Sequence, residues 1–511
     1  MNDQVELNTD HRTLEFQARR FPGRLAVVHD DKTMTYAELD QAADMLVEGL
    51  SRAGLGPRSR IGVRMRPSID WLIVNRAIGK LGAEQLALNP QLTTAETVEL
   101  LDDARAEALI TADADHTKLA EIAAHRPLKL IVGAADDQSL ANLYISPAPK
   151  RVGPPQTPIL IYTSGTTGKS KGVSFHDRLP WDDDERREYQ DAIAATPPHP
   201  EGVRVLLTLP VHHAAGAVEA TVTHQRAGTL YLLPRFKAEE ALDLIERHRI
   251  QHWMAVPTML LRIKTLLETS DRSWDLTSLE SIYVGAAPVP PELKRWVLST
   301  FGPVLWEQYG STEAAAMTRM APEDFLTHPT ASGRPFPHVT IEIVDEHWRP
   351  KPIGEEGEIT ARTPGLVGAY LGQGPMGPET LSPRGFFKTG DTGRLDEDGY
   401  LYVTGRSRDM IVSGGVNIYP AEIEAVLQQH PDIQECAVIG VPDPDMGEKA
   451  LVVLELKENR RELAIDDIQT FLSDRLAKYK HPRAVEIVPQ LPRNPMGKIL
   501  KPTLRTRFGG A

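Results

Sequence analysis

Residues 162–173 read Tyr-Thr-Ser-Gly-Thr-Thr-Gly-Lys-Ser-Lys-Gly-Val, directly after the apolar run Ile159-Leu160-Ile161. Such a run indicates a short buried strand, which delivers the polar residues that follow as a loop. Glycines let backbone N–H groups turn toward an anion, hydroxyls donate further hydrogen bonds and lysines add positive charge. The loop therefore has the chemistry of a polyphosphate-binding site. We expect the contacts to come from Thr163, Ser164, Gly165, Thr166, Thr167, Gly168, Lys169 and Lys171.

The loop does not fit the P-loop pattern, because only two residues separate Gly165 from Gly168-Lys169, where that pattern has four. On these residues alone, a phosphotransferase would explain it. A second glycine pattern, G-x-G-x-x-G at residues 372–377, contains Pro375 and precedes no helical pattern. It predicts an irregular loop rather than a dinucleotide site.

Composition limits the classes of protein that fit. The chain has 511 residues, 41% hydrophobic and 25% charged, which predicts a globular protein of at least two domains. The formal charge of −13 argues against nucleic acid or an anionic membrane as a main partner. The single cysteine, Cys436, excludes a disulfide framework and a cysteine-built metal site. Without a signal-peptide pattern or an apolar run of membrane-spanning length, we expect a cytoplasmic enzyme with no membrane insertion.

Helix and strand patterns alternate along residues 11–130, which predicts an α/β layered domain. Thr35 is a plausible cap for a helix that runs to about Ala53, and the charged run 181–187 predicts a solvated helix start. Residues 16–20 are expected to end a first helix, and further helices are expected at residues 69–80, 94–103, 238–249, 421–429 and 465–476. Strands are expected at residues 25–28, 60–64, 85–88, 205–209, 253–256, 281–284, 410–412, 435–439 and 451–456.

Two later motifs add nucleotide chemistry. Residues 306–313 read Trp-Glu-Gln-Tyr-Gly-Ser-Thr-Glu, in which Tyr309 offers a ring face for adenine, Thr312 a hydroxyl for the α-phosphate and Glu313 a hard carboxylate for Mg²⁺. Further on, the carboxylate of Asp391 can accept from a pair of ribose hydroxyls, and the rigid fork of Arg406 suits a phosphate or the ribose.

These motifs, together with the carboxy-terminal run Pro492-Arg-Asn-Pro-Met-Gly-Lys-Ile-Leu-Lys501, resemble the adenylate-forming superfamily of acyl-CoA synthetases, peptide-synthetase adenylation domains and luciferases. Ser170 stands where the superfamily usually has proline, which predicts a less preorganised loop. The resemblance implies an α/β fold with a large layered N-terminal domain, residues 1–407, of β-sheets and packed helices. It also implies a small mobile α+β C-terminal domain, residues 408–511, that carries the catalytic lysine.

The resemblance also assigns roles to residues. Lys498 is implied as the catalytic lysine that reaches the reacting carboxylate, with Thr312 and Glu313, and Arg408 as the hinge. The implied nucleotide and CoA contacts beyond the phosphate loop are Gly285, Ala286, Ala287, Gln308, Tyr309, Gly310, Ser311, Asp391, Arg406, Gly414 and Gly415. The acyl pocket is expected to include His213, Trp253, Tyr283 and Met317.

His212 and His213 are adjacent in an apparently extended segment, so we expect their side chains to point to opposite faces rather than to share a ligand. Small residues near the expected pocket (Ala214, Ala215, Ala286 and Ala287) are compatible with a bulky acyl group. A cyclic, aromatic or medium-chain carboxylic acid is therefore the expected substrate.

The resemblance implies an ATP-dependent ligase that needs Mg²⁺, forms acyl-AMP and then transfers the acyl group to CoA. A stand-alone adenylation enzyme that loads a carrier-protein thiol shares nearly all of the motifs, although no carrier pattern follows Lys498. A luciferase-like oxygenase shares the fold, and a relative that only binds nucleotide or acyl-adenylate would also retain much of the sequence. A homodimer is compatible with the sequence, which leaves the oligomeric state open.

Overall fold

The computed structural model describes most of the chain and divides it into two compact units. Unit 1 contains residues 1–255, 262–283 and 364–376, and unit 2 contains residues 256–261, 284–363 and 377–511. The described residues are 10, 12–112, 115–133, 139–163, 171–175, 177–285, 289–406, 409, 411–413, 416–418, 420–443, 446–458, 460, 463–473, 475–476, 478–494 and 497–509.

Several helices begin directly after a residue whose side chain caps them. Thr35 and Glu38 form a reciprocal capping box at the start of α2, and Thr93 with Glu96 does the same for α4. The helices are α1 (Leu14–Arg20), α2 (Tyr36–Arg52), α3 (Ile69–Leu81), α4 (Thr94–Asp103), α5 (His116–His125), α6 (Asp183–Ala194), α7 (Ala214–Gln225), α8 (Ala238–His248), α9 (Pro257–Thr269), α10 (Pro291–Phe301), α11 (Asp324–Thr327), α12 (Pro420–Leu427), α13 (Ile465–Leu472) and α14 (Lys501–Phe508).

The strands are short and mostly buried. They are β1 (Leu25–His29), β2 (Lys32–Thr35), β3 (Arg60–Arg64), β4 (Glu84–Ala87), β5 (Ala108–Thr111), β6 (Leu130–Val132), β7 (Ile159–Thr163), β8 (Lys171–Ser174), β9 (Arg204–Leu207), β10 (Thr229–Leu232), β11 (His252–Ala255), β12 (Ser281–Val284), β13 (Leu305–Ser311), β14 (Ala315–Met320), β15 (Arg334–Pro335), β16 (Thr340–Val344), β17 (Gly357–Arg362), β18 (Phe387–Leu395), β19 (Leu401–Arg406), β20 (Ile411–Ser413), β21 (Val416–Ile418), β22 (Ile433–Asp443), β23 (Gly447–Leu456) and β24 (Ala484–Ile487).

Unit 1 contains two largely parallel arrays of strands. One runs in the order β6-β5-β3-β4-β7-β8, in which β8 is antiparallel to β7; the other runs β12-β11-β9-β10-β1-β2, in which β2 is antiparallel to β1. Parallel neighbours require crossovers, which the alternating helices supply, and their strands are buried on both faces. The core of this unit is built of aliphatic residues from α2, α3 and the strands, with Trp71 and Tyr36 fully buried.

Unit 2 contains antiparallel arrays. Strands β13, β14 and β15 pair in that order, β16-β17-β18-β19 form a four-stranded sheet, and β21-β20-β23-β22 form another, to which β24 adds in parallel on β23. The last of these sheets buries one apolar cluster with α12 and α13 and a second with α14.

The predicted mixed α/β architecture is confirmed, with β3, α4 and β12 at the predicted residues. The sequence patterns missed one strand, because the segment from Gly357 to Arg362, which follows a turn rich in glycine and proline, pairs as β17 in a sheet. Residues 372–377 are irregular, as predicted. The predicted domain boundary at 407/408 lies outside the described residues and stays a prediction. In the part of the chain that the structure describes, no helix is both long and apolar enough to cross a membrane.

Candidate active site

The strands on either side of the predicted phosphate loop form a hairpin in unit 1. Thr163 at the end of β7 pairs with Lys171 at the start of β8. The Tyr162 hydroxyl donates to Asp103, and the Lys171 ammonium lies 4.6 Å from the centroid of the Tyr370 ring. The residues that flank the loop, Tyr162 and Lys171, therefore each contact a side chain outside the hairpin. The remaining predicted phosphate contacts, Ser164, Gly165, Thr166, Thr167, Gly168 and Lys169, lie outside the described residues.

In unit 2, three predicted nucleotide residues meet in one network. Asp391 on β18 and Arg406 on β19 are direct cross-strand partners, and Arg406 Nε lies 3.1 Å from Asp391 Oδ1. The Tyr309 hydroxyl donates to Asp391 Oδ2 over 2.8 Å, and the Thr389 hydroxyl accepts from the Asp391 amide. The carboxylate is thus oriented from both sides by groups that come from two different sheets.

Burial raises the pKa of Tyr309 well above its ordinary value, and the neighbouring Asp391 carboxylate raises it further. The phenol therefore stays protonated and keeps its role as a donor at any physiological pH. Asp391 retains lone pairs beyond these contacts, since an ionised carboxylate can accept about four hydrogen bonds. The arrangement fits a pair of ribose hydroxyls.

The β13–β14 hairpin carries the next two predicted residues at its tip. Ser311 pairs with Ala315, and Ser311 Oγ accepts from the Ala314 amide, so Thr312, Glu313 and Ala314 form the turn. A Cβ at Gly310 would lie 2.3 Å from the Ala315 carbonyl oxygen, so this close approach requires glycine. Thr312 and Glu313 are both half-buried.

The predicted residue Gly285 lies beside this hairpin, next to the predicted residue Gln308 on β13. A Cβ at Gly285 would lie 3.2 Å from the Gln308 carbonyl oxygen, which places the end of β12 against the backbone of β13 at that point. Ala286 and Ala287 lie outside the described residues.

Sequence reasoning missed a buried ion pair beneath this hairpin. Lys294 Nζ on α10 lies 2.5 Å from Glu307 Oε2 on β13 and donates to the Ala331 carbonyl, and both side chains are buried. Burial raises the pKa of Glu307, although Lys294 opposes the shift. The sequence around Lys294 did not predict this ion pair, because only tertiary packing brings the lysine next to Glu307.

Lys498 lies in a second hairpin, built from residues 491–494 and 497–501. The Asn494 amide donates to the Lys498 carbonyl, and the Lys498 amide donates to Asn494 Oδ1, each over 2.9 Å. Gly497 has a φ of +75°, and a Cβ there would lie 2.5 Å from Thr258 Oγ1 at the start of α9. The peptide that precedes Lys498 therefore packs against Thr258, a neighbour that sequence reasoning did not identify.

Three further predicted residues, Arg408, Gly414 and Gly415, lie outside the described residues. The residue after Arg408 is described: Asp409 Oδ1 lies 2.8 Å from Arg505 Nη2 on α14. Asp409 is thus attached to the carboxy-terminal helix.

The expectation for the two histidines of unit 1 was wrong. Residues 211–213 form a turn rather than an extended segment, and the rings of His212 and His213 lie side by side with centroids 4.5 Å apart. Burial lowers the pKa of His212 to about 3 and that of His213 to about 4, so both imidazoles are neutral at pH 7. Among the described residues, no group of three or more His, Cys, Asp or Glu side chains could hold a metal ion.

The other predicted pocket residues are deeply buried within their own units. In unit 1, Trp253 donates to the Thr208 hydroxyl over 3.0 Å and stacks on Phe236, and Tyr283 is 5% exposed. In unit 2, Met317 is fully buried on β14. Their contact with a substrate stays a prediction.

Two family models match the chain. That of the AMP-binding enzymes matches residues 14–371, and that of the AMP-binding enzyme C-terminal domain matches residues 422–498. A feruloyl-CoA synthase of an Amycolatopsis species is 34% identical over 499 residues, which cover 96% of this chain and 98% of the relative. An indoleacetate–CoA ligase of Aromatoleum aromaticum is 33% identical over 500 residues, which cover 95% of each chain.

The o-succinylbenzoate CoA synthetase of Bacillus subtilis, solved with its acyl-adenylate intermediate, has a similar fold. The TM-score is 0.82 with 28% identity, covering 96% of this chain and 97% of that one. The same enzyme has been solved with ATP and a magnesium ion, with a TM-score of 0.81, 28% identity and coverage of 96% and 98%. The chain therefore belongs to the AMP-binding enzymes, the adenylate-forming superfamily, and it is an ATP-dependent acid–CoA ligase that acts through acyl-AMP.

Proposed function

We propose that this ligase activates an aromatic or other cyclic carboxylic acid. Two relatives that match nearly the whole chain are named for feruloyl-CoA and indoleacetate, both of which carry an aryl group. The predicted pocket residues of unit 1 are also aromatic: His213, Trp253 and Tyr283. Flat rings of this kind favour contact with a flat acyl group over a flexible alkyl chain.

The single observation that carries the nucleotide assignment is the network of Tyr309, Asp391 and Arg406. It presents an oriented carboxylate beside a guanidinium and an aromatic ring, which match the ribose, phosphate and adenine of a nucleotide. Gly285, Gln308, Gly310 and Ser311 build the adjoining backbone. Thr163 and Lys171, the residues on either side of the proposed phosphate loop, pair directly between β7 and β8.

In the first half-reaction, an oxygen of the acid's carboxylate attacks the α-phosphorus of ATP, and the bond to pyrophosphate breaks. The result is acyl-AMP and pyrophosphate. The task of the protein is to hold the two anions in line and to neutralise the charge that develops, which the loop lysines and Lys498 would do.

Glu313 is the residue that would hold Mg²⁺. It is a hard oxygen donor at a half-buried hairpin tip beside the Thr312 hydroxyl, a donor set that suits this ion. When bound, the ion supplies positive charge next to the phosphates. Replacement of Glu313 by Gln should raise the Mg²⁺ concentration that half-saturates pyrophosphate release; an unchanged Mg²⁺ dependence would remove Glu313 from the site.

In the second half-reaction, the thiol of CoA attacks the acyl carbon, and AMP leaves with its phosphate oxygen. Lys498 and the incoming thiol cannot occupy the same space, so the segment that carries Lys498 must move between the steps. We place the hinge at Arg408, between an N-terminal domain of residues 1–407 and a C-terminal domain of residues 408–511. Gly414 and Gly415 would flank the path of the pantetheine arm.

A hinge absorbs a large change in φ and ψ at few residues, and proline fixes φ near −65°. Arg408→Pro should therefore lock one arrangement and slow one half-reaction far more than the other in a rapid-quench comparison. Equal slowing of both steps, or of neither, would move the hinge elsewhere.

A panel of acids tests the proposed substrate class directly. With ATP and Mg²⁺, ferulate, indoleacetate and straight-chain acids of equal carbon number are compared for pyrophosphate release, with and without CoA. Aryl acids should give the highest kcat/KM, AMP rather than ADP should be the nucleotide product, and thioester should form with CoA. A tenfold preference for a straight-chain acid would refute the substrate class, and thioester formation only with a carrier-protein thiol would refute CoA as the acceptor.

We also infer a cytoplasmic location, where ATP, CoA and a reducing environment coincide; the single cysteine, Cys436, is buried as a thiol. Cell fractionation tests this inference. A homodimer is our working hypothesis for the oligomeric state, and a monomeric mass in light scattering would refute it.

A further inference from the structure

The segment that carries Lys498 is fastened to the rest of unit 2 by carboxylates on both of its sides. Before the lysine, the Leu491 amide donates to Glu455 Oε2 over 2.8 Å, and Arg493 Nη2 pairs with Glu435 Oε2. After the lysine, Lys501 Nζ lies 2.7 Å from Glu424 Oε1. These three glutamates lie on α12, β22 and β23, so the hairpin is attached to regular elements.

Arg493 connects this attachment to the catalytic residue. Its Nη1 donates to the Gly497 carbonyl over 2.8 Å while its Nη2 pairs with Glu435. The Gly497 carbonyl belongs to the peptide whose nitrogen is that of Lys498. A planar guanidinium held at one end by a carboxylate fixes the direction of a group bound at its other end.

We propose that Arg493 and Glu435 are positioning residues for Lys498, which orient the Gly497–Lys498 peptide so that the ammonium reaches the reacting carboxylate in the first half-reaction. This inference rests on the proposed role of Lys498. Neither residue touches a substrate, and both act through the lysine.

The burial of the pair makes its function depend on pH. Burial raises the pKa of Glu435, Arg493 opposes the shift, and the neighbouring carboxylates Glu455 and Glu424 add to it. Glu435 therefore takes up a proton at a higher pH than an ordinary glutamate does. Its ion pair with Arg493 is lost as the pH falls, and adenylation should fall with it.

The test measures the two half-reactions separately in single turnovers. Arg493→Met should slow acyl-adenylate formation about 100-fold, the cost of a misplaced catalytic group. The same variant should convert preformed acyl-adenylate and CoA to thioester at the wild-type rate, which also shows that it folds. Arg493→Lys keeps the charge but loses the fork, and Glu435→Gln keeps the shape but loses the ion pair, so both should slow adenylation about tenfold.

Two further readouts separate positioning from a structural role. Arg493→Met with Glu435→Gln should be no slower than Arg493→Met alone, because the residues act as a unit. In the wild type, the rate of adenylation should fall as the pH is lowered. With the same carboxylic acid as substrate, this fall should occur at a lower pH in Glu435→Gln. The matched control is Arg460→Met, which removes a guanidinium 3.4 Å from Asp432 outside the hairpin and should leave both steps unchanged.

The proposal is overturned if Arg493→Met adenylates as fast as Arg460→Met, or if it slows both half-reactions equally. Lys498→Ala is run alongside to keep two failures apart. If Lys498→Ala loses adenylation and Arg493→Met does not, the positioning role fails alone. If Lys498→Ala retains adenylation, the proposed role of Lys498 itself has failed, and the positioning role fails with it.

Discussion

Asp391 receives two side-chain contacts, from the Tyr309 hydroxyl on one oxygen and from Arg406 on the other. It is 9% exposed, so its charge is held in place with little competition from water. A buried carboxylate that is oriented before a ligand arrives loses little entropy on binding, so Asp391 would accept the ribose hydroxyls of our proposed nucleotide at little entropic cost.

Asp391→Asn tests this residue. The amide keeps the volume but loses the charge that pairs with Arg406 and one acceptor for the ribose. Charge-assisted hydrogen bonds contribute about 1.5–3 kcal/mol, so KM for ATP in pyrophosphate release should rise about 10- to 100-fold. Tyr309→Phe, which keeps the ring and loses only the hydroxyl, should raise KM for ATP less than Asp391→Asn does. An unchanged KM for ATP in Asp391→Asn would exclude the ribose contact.

At the scale of elements, the β13–β14 hairpin sets where Thr312 and Glu313 lie. Its tight turn depends on Gly310, where a Cβ would lie 2.3 Å from a backbone oxygen that cannot move without opening the hairpin. The buried ion pair of Lys294 and Glu307 links β13 of this hairpin to α10. Small changes in this turn should therefore move the side chains of Thr312 and Glu313.

We expect Gly310→Ala to reduce acyl-adenylate formation about 100-fold, since a displacement of about 1 Å at a reacting centre has that effect. Gly23→Ala is the matched control, because a Cβ there meets nothing within 4 Å. Single-turnover pyrophosphate release compares the two, with far-ultraviolet circular dichroism to verify folding. Equal rates in both variants would mean that the hairpin tip does not position the chemistry.

Elements with strong local signals were predictable from the sequence. The capping box of Thr35 and Glu38 and the apolar spacing behind it defined α2, and the apolar run at residues 159–161 defined β7. The motifs also named Tyr309, Asp391 and Arg406, which the structure brings into contact; their binding of a nucleotide stays a prediction.

Contacts chosen by packing were not predictable. Tyr309 and Asp391 are 82 residues apart in the sequence, and Arg493 and Glu435 are 58 apart, so only tertiary packing brings each pair into contact. The arrangement of His212 and His213 was misjudged because the rule of alternating faces assumes an extended backbone. There, a turn held by the His213 amide and the Pro210 carbonyl places both rings on one side.

At the scale of the whole molecule, buried histidines make stability depend on pH. Burial lowers the pKa of His199 and His224, both in unit 1, to about 3, as it does for His212. In the unfolded chain these groups have an ordinary pKa near 6.5. Below that pH the unfolded chain binds more protons, so stability is fully present above about pH 6.5 and is lost as the pH falls.

Each such histidine should remove up to about 1.4 kcal/mol of unfolding free energy per pH unit below 6.5. Urea unfolding between pH 7.5 and 5 measures the slope. His199→Phe should give a shallower slope than the wild type, whereas Gln at the largely exposed His347 should not change it. A steeper slope in His199→Phe, or stability that rises on acidification, would contradict this account.

One chain performs two half-reactions, and we infer that Lys498 serves only the first. The most direct measurement is a rapid-quench comparison of both steps in Lys498→Ala, with acid and ATP in one experiment and preformed acyl-adenylate and CoA in the other. Loss of a charge aimed at the transition state should slow adenylation by about 100- to 1,000-fold, while thioester formation proceeds close to the wild-type rate. Equal loss in both steps, or adenylation at the wild-type rate, would contradict the claim.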